Sequence, residues 1–166
     1  MLNGGGAVVD FGCYGANLLT WLFDGRAPRR VHAVLQTLKP DVYPKVDDDA
    51  TLVLEYDDAQ GIVQGSWNWP FSRKDMEVYG RDGTLHAVGG RTLRVREPGE
   101  QAEHTVALDP RRAPDDDPFA HLAAVVRGRI VPQPHDLCAL ENNLTVVRIL
   151  DAARESARTG AAVALP

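Results

Sequence analysis

Residues 4–23 read GGGAVVDFGCYGANLLTWLF, a run of glycines followed by apolar residues at regular spacing. Three glycines allow the backbone to turn sharply, and apolar residues then recur at helical spacing as far as Phe23. Gly25 follows them, as glycine often does after the last turn of a helix. The stretch therefore predicts one helix after the glycines, with an apolar face made of Val8, Val9, Phe11, Leu18, Leu19, Leu22 and Phe23.

The polar side chains of this helix form a single stripe. Steps of four, three and four residues connect Asp10, Tyr14, Asn17 and Trp21, and such steps place side chains on one helix face. A carboxylate and a phenol one turn apart can share a bound hydroxyl group, because the carboxylate orients it and the phenol exchanges a proton with it. The structural alternative is that the helix dipole favours the negative charge of Asp10 in the early turns of the helix. Tyr14 and Trp21 would then be ordinary core aromatics.

Three segments resemble the C-terminal domain of the glucose–fructose oxidoreductase / inositol dehydrogenase / MocA family. Residues 4–17 are similar to its opening pattern, G-G-G-x-x-x-D-x-G-x-H, with Tyr14 at the histidine position as in the tyrosine-containing branch of the family. Residues 75–85, DMEVYGRDGTL, resemble its E-x-Y-G-x-x-G-x-L hairpin, and residues 141–163 resemble its closing helix and strand. The three matches occur in the family's order and cover nearly the whole chain.

The resemblance implies a sugar or polyol substrate and a set of site residues. Tyr14 and Asp10 would be catalytic, with Asp10 orienting the substrate hydroxyl and Tyr14 carrying its proton. Asn17 and His135 would contact the substrate. For His135, which lies before the last predicted helix, a surface or capping role is the alternative.

The family's nucleotide-binding Rossmann domain has no counterpart in this sequence. Gly4 and Gly6 match two positions of the dinucleotide pattern G-x-G-x-x-G, but Val9 occupies the third and no strand precedes them. The family's E-K-P motif is also missing, and without a nearby ammonium a tyrosine is a poor base at neutral pH. We therefore predict that this chain alone is not a complete dehydrogenase. The resemblance implies NAD or NADP as the cofactor, but we do not expect tight binding to this chain alone. The sequence identifies no cofactor-binding residues.

Composition excludes several classes of function. The 166 residues suit one domain, 44% of them are hydrophobic, and a net charge of -5 gives no reason to expect nucleic acid. No leader or membrane-spanning segment is visible, so a cytoplasmic location is expected. Two cysteines do not make a disulfide framework, and Cys13 is expected to be a small buried side chain. The acidic run at residues 47–49 is expected to be solvated, with no metal site.

The rest of the sequence predicts an α+β fold with a large, open, mainly antiparallel sheet and helices on one face. A short helix should follow Asp117 and Pro118, and a long one should run from Leu137 to Gly160 with an apolar stripe. Trp67 and Trp69 share one strand face, which serves either an edge or subunit contact or packing against a helix. The predicted strands are residues 31–38, 51–56, 62–69, 76–79, 84–88, 92–96 and 103–108, with an edge strand at 163–165.

Two functional hypotheses follow. In the first, residues 1–166 form a single C-terminal domain that binds substrate and dimerises, within an NAD(P)-dependent sugar or polyol oxidoreductase. Its N-terminal dinucleotide-binding domain is absent, and a separate Rossmann-domain chain is one way to complete it. A homodimer or higher oligomer would form through the open sheet face. In the second, the chain is a non-catalytic dimerisation or carbohydrate-binding module descended from such an enzyme.

Overall fold

The structure is a computed structural model that describes residues 5–165, so Gly4, the first of the three glycines, lies outside it. The predicted α+β class and antiparallel pairing are confirmed, with the strands arranged in two four-stranded sheets. In chain order the elements are α1 (Ala7–Asp10), α2 (Gly12–Leu22), β1 (Arg30–Gln36), β2 (Asp49–Glu55), β3 (Gln60–Ser66), β4 (Met76–Gly80), β5 (Gly83–Ala87), β6 (Thr92–Arg96), β7 (His104–Ala107), α3 (Pro118–Val126), α4 (Leu140–Thr159) and β8 (Val163–Ala164).

The chain divides into two compact units, residues 5–69 with 132–165 and residues 70–131. The first unit has the sheet order β3-β2-β1-β8, with every neighbouring pair antiparallel. Alternate strand residues such as Val31, Leu52 and Leu54 are fully buried and share one core with Val8 and Ile149 of the helices. The helices of this unit therefore cover one sheet face, as predicted.

The predicted apolar face of the first helix is wrong in part. The helix is interrupted at Phe11, and the buried positions of α2 are Gly12, Ala16 and Thr20. Leu18 and Leu22 are exposed instead. Small residues let the helix backbone come close to its neighbours, so burial in α2 follows side-chain size rather than hydrophobicity.

Large and small side chains alternate where α2 meets β3. Leu19 sits against Gly61, where an added Cβ would lie 2.5 Å from Leu19 Cδ1, and Phe11 sits against Gly65, where an added Cβ would lie 2.8 Å from Phe11 Cβ. At the middle position the sizes are reversed, because any side chain at Gly15 would collide with Val63. These three contacts fix the rotation of α2 about its axis.

The long helix α4 ends at Gly160, which adopts the left-handed conformation as predicted. The helix begins at Leu140, after the predicted start at Leu137, and of the apolar stripe that predicted it Leu150 is buried while four members are exposed, namely Leu137, Leu140, Leu144 and Val147. The core face lies to one side of that stripe and includes Val146, Ile149 and Ser156. Ser156 Oγ accepts a hydrogen bond from the backbone N–H of Ala33 at 3.0 Å, which ties this face to β1.

The second unit contains the antiparallel meander β4-β5-β6-β7 and the helix α3. The predicted hairpin is confirmed, with Gly80 opposite Gly83. Asp117 caps α3 by accepting the N–H of Phe119 at 2.8 Å, and Pro118 opens the helix, also as predicted. Within residues 5–165, none of the helices combines the length and the apolar character needed to cross a membrane.

Candidate functional site

The stripe Asp10–Tyr14–Asn17–Trp21 lies on the outside of α1 and α2. Asp10 is exposed, Tyr14 is 62% exposed and Trp21 is 42% exposed, whereas Asn17 is half-buried. The alternative that Tyr14 and Trp21 are core aromatics is therefore wrong. A carboxylate and a phenol are therefore presented to solvent on successive turns.

Asp10 is held from the neighbouring strand. Its Oδ2 accepts a hydrogen bond from the indole Nε1–H of Trp67 at 2.9 Å, although 57 positions separate the two residues. The Trp67 ring in turn contacts Tyr43, with 4.8 Å between ring centroids and planes tilted by 56°. Trp67 is half-buried against the core that the helices share, as one of its two considered roles predicts, and the edge or subunit contact stays a prediction. Sequence spacing gave no signal for the contacts of Trp67 with Asp10 and Tyr43, because they join a loop, a strand end and a helix.

Asp48 organises the segments that carry Tyr43 and Trp67. Its carboxylate accepts the N–H groups of Leu38 at 2.7 Å and Lys39 at 2.8 Å, and its carbonyl accepts the N–H of Trp67 at 2.9 Å. Burial acts to raise the pKa of Asp48, but the N–H donors outweigh it and hold the pKa below its usual range. The expectation of a solvated acidic run is therefore wrong for Asp48, which is completely buried.

Asn17 connects the stripe to the loop before α4. Its Nδ2 donates to the carbonyl of Leu137 at 3.0 Å and to Oδ1 of Asn143 at 3.1 Å. Asn143 Nδ2 also donates to the Leu137 carbonyl, at 3.0 Å. Asn17 therefore fixes the start of α4 relative to α2, a role that the sequence did not reveal, and its contact with substrate stays a prediction.

His135 lies at the other end of α2 from the carboxylate and the phenol. It is half-buried beside Gly25, where an added Cβ would lie 3.4 Å from the Cβ of His135. The helix places Tyr14 about 12 Å from Leu22, and Gly25 follows beyond that point. The structure thus places Asp10 and Tyr14 on successive exposed turns and His135 beyond the far end of α2.

The glycine run before α1 does not suit a dinucleotide phosphate. Such a phosphate needs unoccupied N–H groups at a helix start. Here Ala7 N donates to the carbonyl of Asp47 at 2.9 Å, Val8 N donates to Asp47 Oδ2 at 2.7 Å, and Asp47 fills the space beside Gly6. Burial raises the pKa of Asp47, and the Val8 N–H opposes that shift. A carboxylate already occupies the place that a phosphate would take.

Nucleophilic and metal chemistry find little support near the stripe. Cys13 is half-buried and packs against the core, consistent with a small filling side chain, and its Sγ contacts the carbonyl of Asp10 at 3.5 Å. Burial, followed by the charge of Asp10, raises the pKa of Cys13, which keeps it a thiol at neutral pH. No cluster of three or more His, Cys, Asp or Glu side chains among residues 5–165 could hold a metal ion.

Comparison with known proteins identifies relatives of the chain. A family model described as the GFO/IDH/MocA C-terminal domain matches residues 1–86. D-xylose 1-dehydrogenase (NADP(+)) 2 of Haloferax volcanii is 33% identical to this chain over an alignment of 167 residues. The alignment covers 97% of this chain and 48% of that protein. The chain therefore spans about half the length of the curated relative that it matches.

Solved structures share the fold at lower identity. An NAD binding oxidoreductase from Klebsiella pneumoniae superimposes with a TM-score of 0.79 at 22% identity, over 99% of this chain and 52% of that chain. An aldose-aldose oxidoreductase from Caulobacter crescentus, complexed with glycerol, gives 0.78 at 21% identity, over 99% and 49%. With the family model covering residues 1–86, the comparison establishes that this chain belongs to the GFO/IDH/MocA C-terminal domain family of oxidoreductases.

Proposed function

We propose that the chain is the substrate-binding half of an NAD(P)-dependent sugar or polyol oxidoreductase. The observation that carries the proposal is the pair Asp10 and Tyr14, exposed on successive turns with the carboxylate held by Trp67. The relative that acts on D-xylose and the fold neighbour that binds glycerol support a polyhydroxylated substrate. The cytoplasmic location expected from the sequence stays a prediction.

In this proposal each side chain has a separate task. The carboxylate of Asp10 accepts a hydrogen bond from the substrate hydroxyl and thereby fixes its direction. The phenol of Tyr14 lies one turn away and exchanges a proton with that hydroxyl as it becomes a carbonyl or is formed from one. Asn17 keeps the loop before α4 in place beside the stripe.

The dinucleotide belongs to another part of the enzyme. Asp47 occupies the N–H groups at the start of α1, so residues 5–10 do not fit a phosphate. NAD or NADP would be held by a dinucleotide-binding domain, on the same polypeptide or on a separate chain. Titration of the purified chain with NADH and NADPH, followed by energy transfer from its three tryptophans, should show no saturable binding. Saturable micromolar binding would contradict this part of the proposal.

Substrate binding is tested by titrating the chain with D-xylose and glycerol and following saturation-transfer NMR signals. We expect D10N and Y14F to weaken sugar binding, D10N by about tenfold because it removes a charge-assisted hydrogen bond. Y79F is the matched control, since Tyr79 is 68% exposed, as accessible as Tyr14, and lies on β4 of the other unit. Equal sugar binding by wild type, D10N and Y14F would favour the non-catalytic module instead.

A further inference from the structure

Trp67 places an N–H donor against one oxygen of the proposed substrate carboxylate. The distance from Nε1 to Asp10 Oδ2 is 2.9 Å, within the range of a charge-assisted hydrogen bond. An ionised carboxylate has two oxygens with about four acceptor positions. One donor on Oδ2 therefore fixes the direction of the group and leaves Oδ1 able to accept a substrate hydroxyl.

Trp67 is itself held at its backbone and at its ring. Its backbone N–H donates to the carbonyl of Asp48 at 2.9 Å, and the ring contacts Tyr43 with 4.8 Å between centroids. Asp48 also accepts the N–H groups of Leu38 and Lys39, which begin the loop that carries Tyr43. The donor thus comes from a well-fixed position, whereas Asp10 is an exposed side chain that would otherwise rotate among several conformers.

The helix that carries Asp10 is fixed against the same strand. Phe11 adjoins Asp10 and fits against Gly65, two residues before Trp67. Gly15, next to Tyr14, fits against Val63. The distance between the Trp67 indole and the Asp10 carboxylate is therefore determined by backbone packing, and the hydrogen bond needs little further ordering.

We propose that Trp67 is a positioning residue for substrate binding, which acts by holding Asp10 through its indole N–H. The substrate part of this inference rests on the proposed function, and the positioning part does not. The Trp67 ring supplies the donor and the Tyr43 ring supports it from the loop. A residue that only filled space could be replaced by phenylalanine without effect on Asp10.

The positioning part is tested on the purified chain by hydrogen exchange of the three indole N–H groups, measured by NMR. Single substitutions W21F, W67F and W69F assign the signals. In D10A we expect the Trp67 indole N–H to exchange faster and its resonance to move, while the Trp69 signal stays in place. An unchanged Trp67 signal in D10A would overturn the proposal, whether or not the chain binds sugars.

The substrate part is tested with D-xylose titrations of W67F, D10A and the double variant. We expect W67F to weaken binding about tenfold, the loss of one hydrogen bond to a charged group, and the double variant to bind no more weakly than D10A. Y79F is the control, because Tyr79 is exposed on β4 of the other unit and its loss of a hydroxyl should change affinity less than twofold. Wild-type affinity in W67F, or fully additive losses in the double variant, would overturn the role of Trp67.

Failure of the proposed function has a different signature. If the wild-type chain binds no polyol, the proposed function fails, and the exchange experiment still decides whether Trp67 holds Asp10. If W67F unfolds, the D10A exchange measurement is unaffected, because it leaves Trp67 in place. The thermal unfolding midpoint of each variant separates a binding loss from a folding loss.

Discussion

The buried side chain of Asp48 anchors a long irregular segment of the chain. Residues 37–48 form no strand or helix, yet their first N–H groups and the end of β3 meet at this side chain and its carbonyl. A buried charge is costly unless hydrogen bonds compensate it. Hydrogen bonds from Leu38, Asn68 and Lys39 provide that compensation, and they explain the lowered pKa of Asp48.

We expect D48N to destabilise the chain, because each carboxylate oxygen accepts one backbone N–H and the amide of asparagine would turn a donor toward one of them. D49N, in the same acidic run and half-buried, is the matched control and should have a smaller effect. Thermal unfolding followed by circular dichroism measures both. Equal midpoints for wild type and D48N would show that the carboxylate does not hold the loop.

The pH dependence of stability gives a second signature of Asp48. Because its pKa is lower in the folded chain than in the unfolded one, its contribution is complete above the unfolded value of about 3.9. That contribution is lost as the pH falls through the folded value. D48N should therefore flatten the acid limb of the stability curve below about pH 4 relative to D49N, as measured by urea unfolding at several pH values.

At the scale of the element, α2 is positioned by complementary sizes rather than by an apolar stripe. Leu19 meets Gly61, Gly15 meets Val63 and Phe11 meets Gly65, each so closely that a Cβ on the glycine would collide with its partner. Helical periodicity correctly predicted that the chain is helical here, but not the interruption at Phe11. It could not predict the buried face, because glycine and alanine carry little hydrophobic signal even where they allow the closest approach.

We expect G15A to cost about 1–3 kcal/mol of unfolding free energy, because the new methyl collides with the stiff, β-branched Val63. G12A is the control in the same helix: its Cβ would lie 3.7 Å from Val8 and 3.8 Å from Leu150, so helix propensity should stabilise it by up to about 1 kcal/mol. Urea unfolding measures both variants.

A double variant separates the collision from other effects. If Val63 is the obstacle, G15A combined with V63A should be more stable than the sum of the two single losses, by about 1 kcal/mol. Strict additivity would place the strain of G15A elsewhere in the helix.

At the scale of the whole molecule, exposed apolar side chains remain on the outer face of the first sheet. Ile62 is 63% exposed and Val34 is 52% exposed, with the half-buried Val53 opposite Ile62 in the neighbouring strand. Exposed apolar sheet faces commonly mark association surfaces. The homodimer expected from the sequence would use this face, and that assignment stays a prediction.

We expect I62E to convert a wild-type dimer to monomer, weakening association by roughly a hundredfold or more because an unpaired charge would be buried at the interface. Sedimentation velocity over a range of concentrations measures this. V147E on the exposed side of α4 is the control. A monomeric wild type, or dissociation by V147E alone, would contradict the assignment to the sheet.

Periodicity and turn residues were sufficient to predict most strands, the cap at Asp117 and the end of α4 at Gly160. They failed where long-range contacts decide the outcome. The bond between Trp67 and Asp10, the burial of Asp48 and the exposed face of α4 each depend on how segments far apart in the sequence meet. Local sequence pattern carries no information about such long-range contacts, and therefore it did not predict which residues contact the candidate site.

The alternating sizes along α2 and β3 also constrain how this surface can evolve. Where Gly15 meets Val63, and where Gly61 meets Leu19, there is room for the side chain of only one of the two residues. A larger residue on the helix is compatible only with a smaller one on the strand, so substitutions at these positions should occur in pairs across related sequences. The orientation of Asp10 and Tyr14 would then be inherited through compensating exchanges at positions that never touch a substrate.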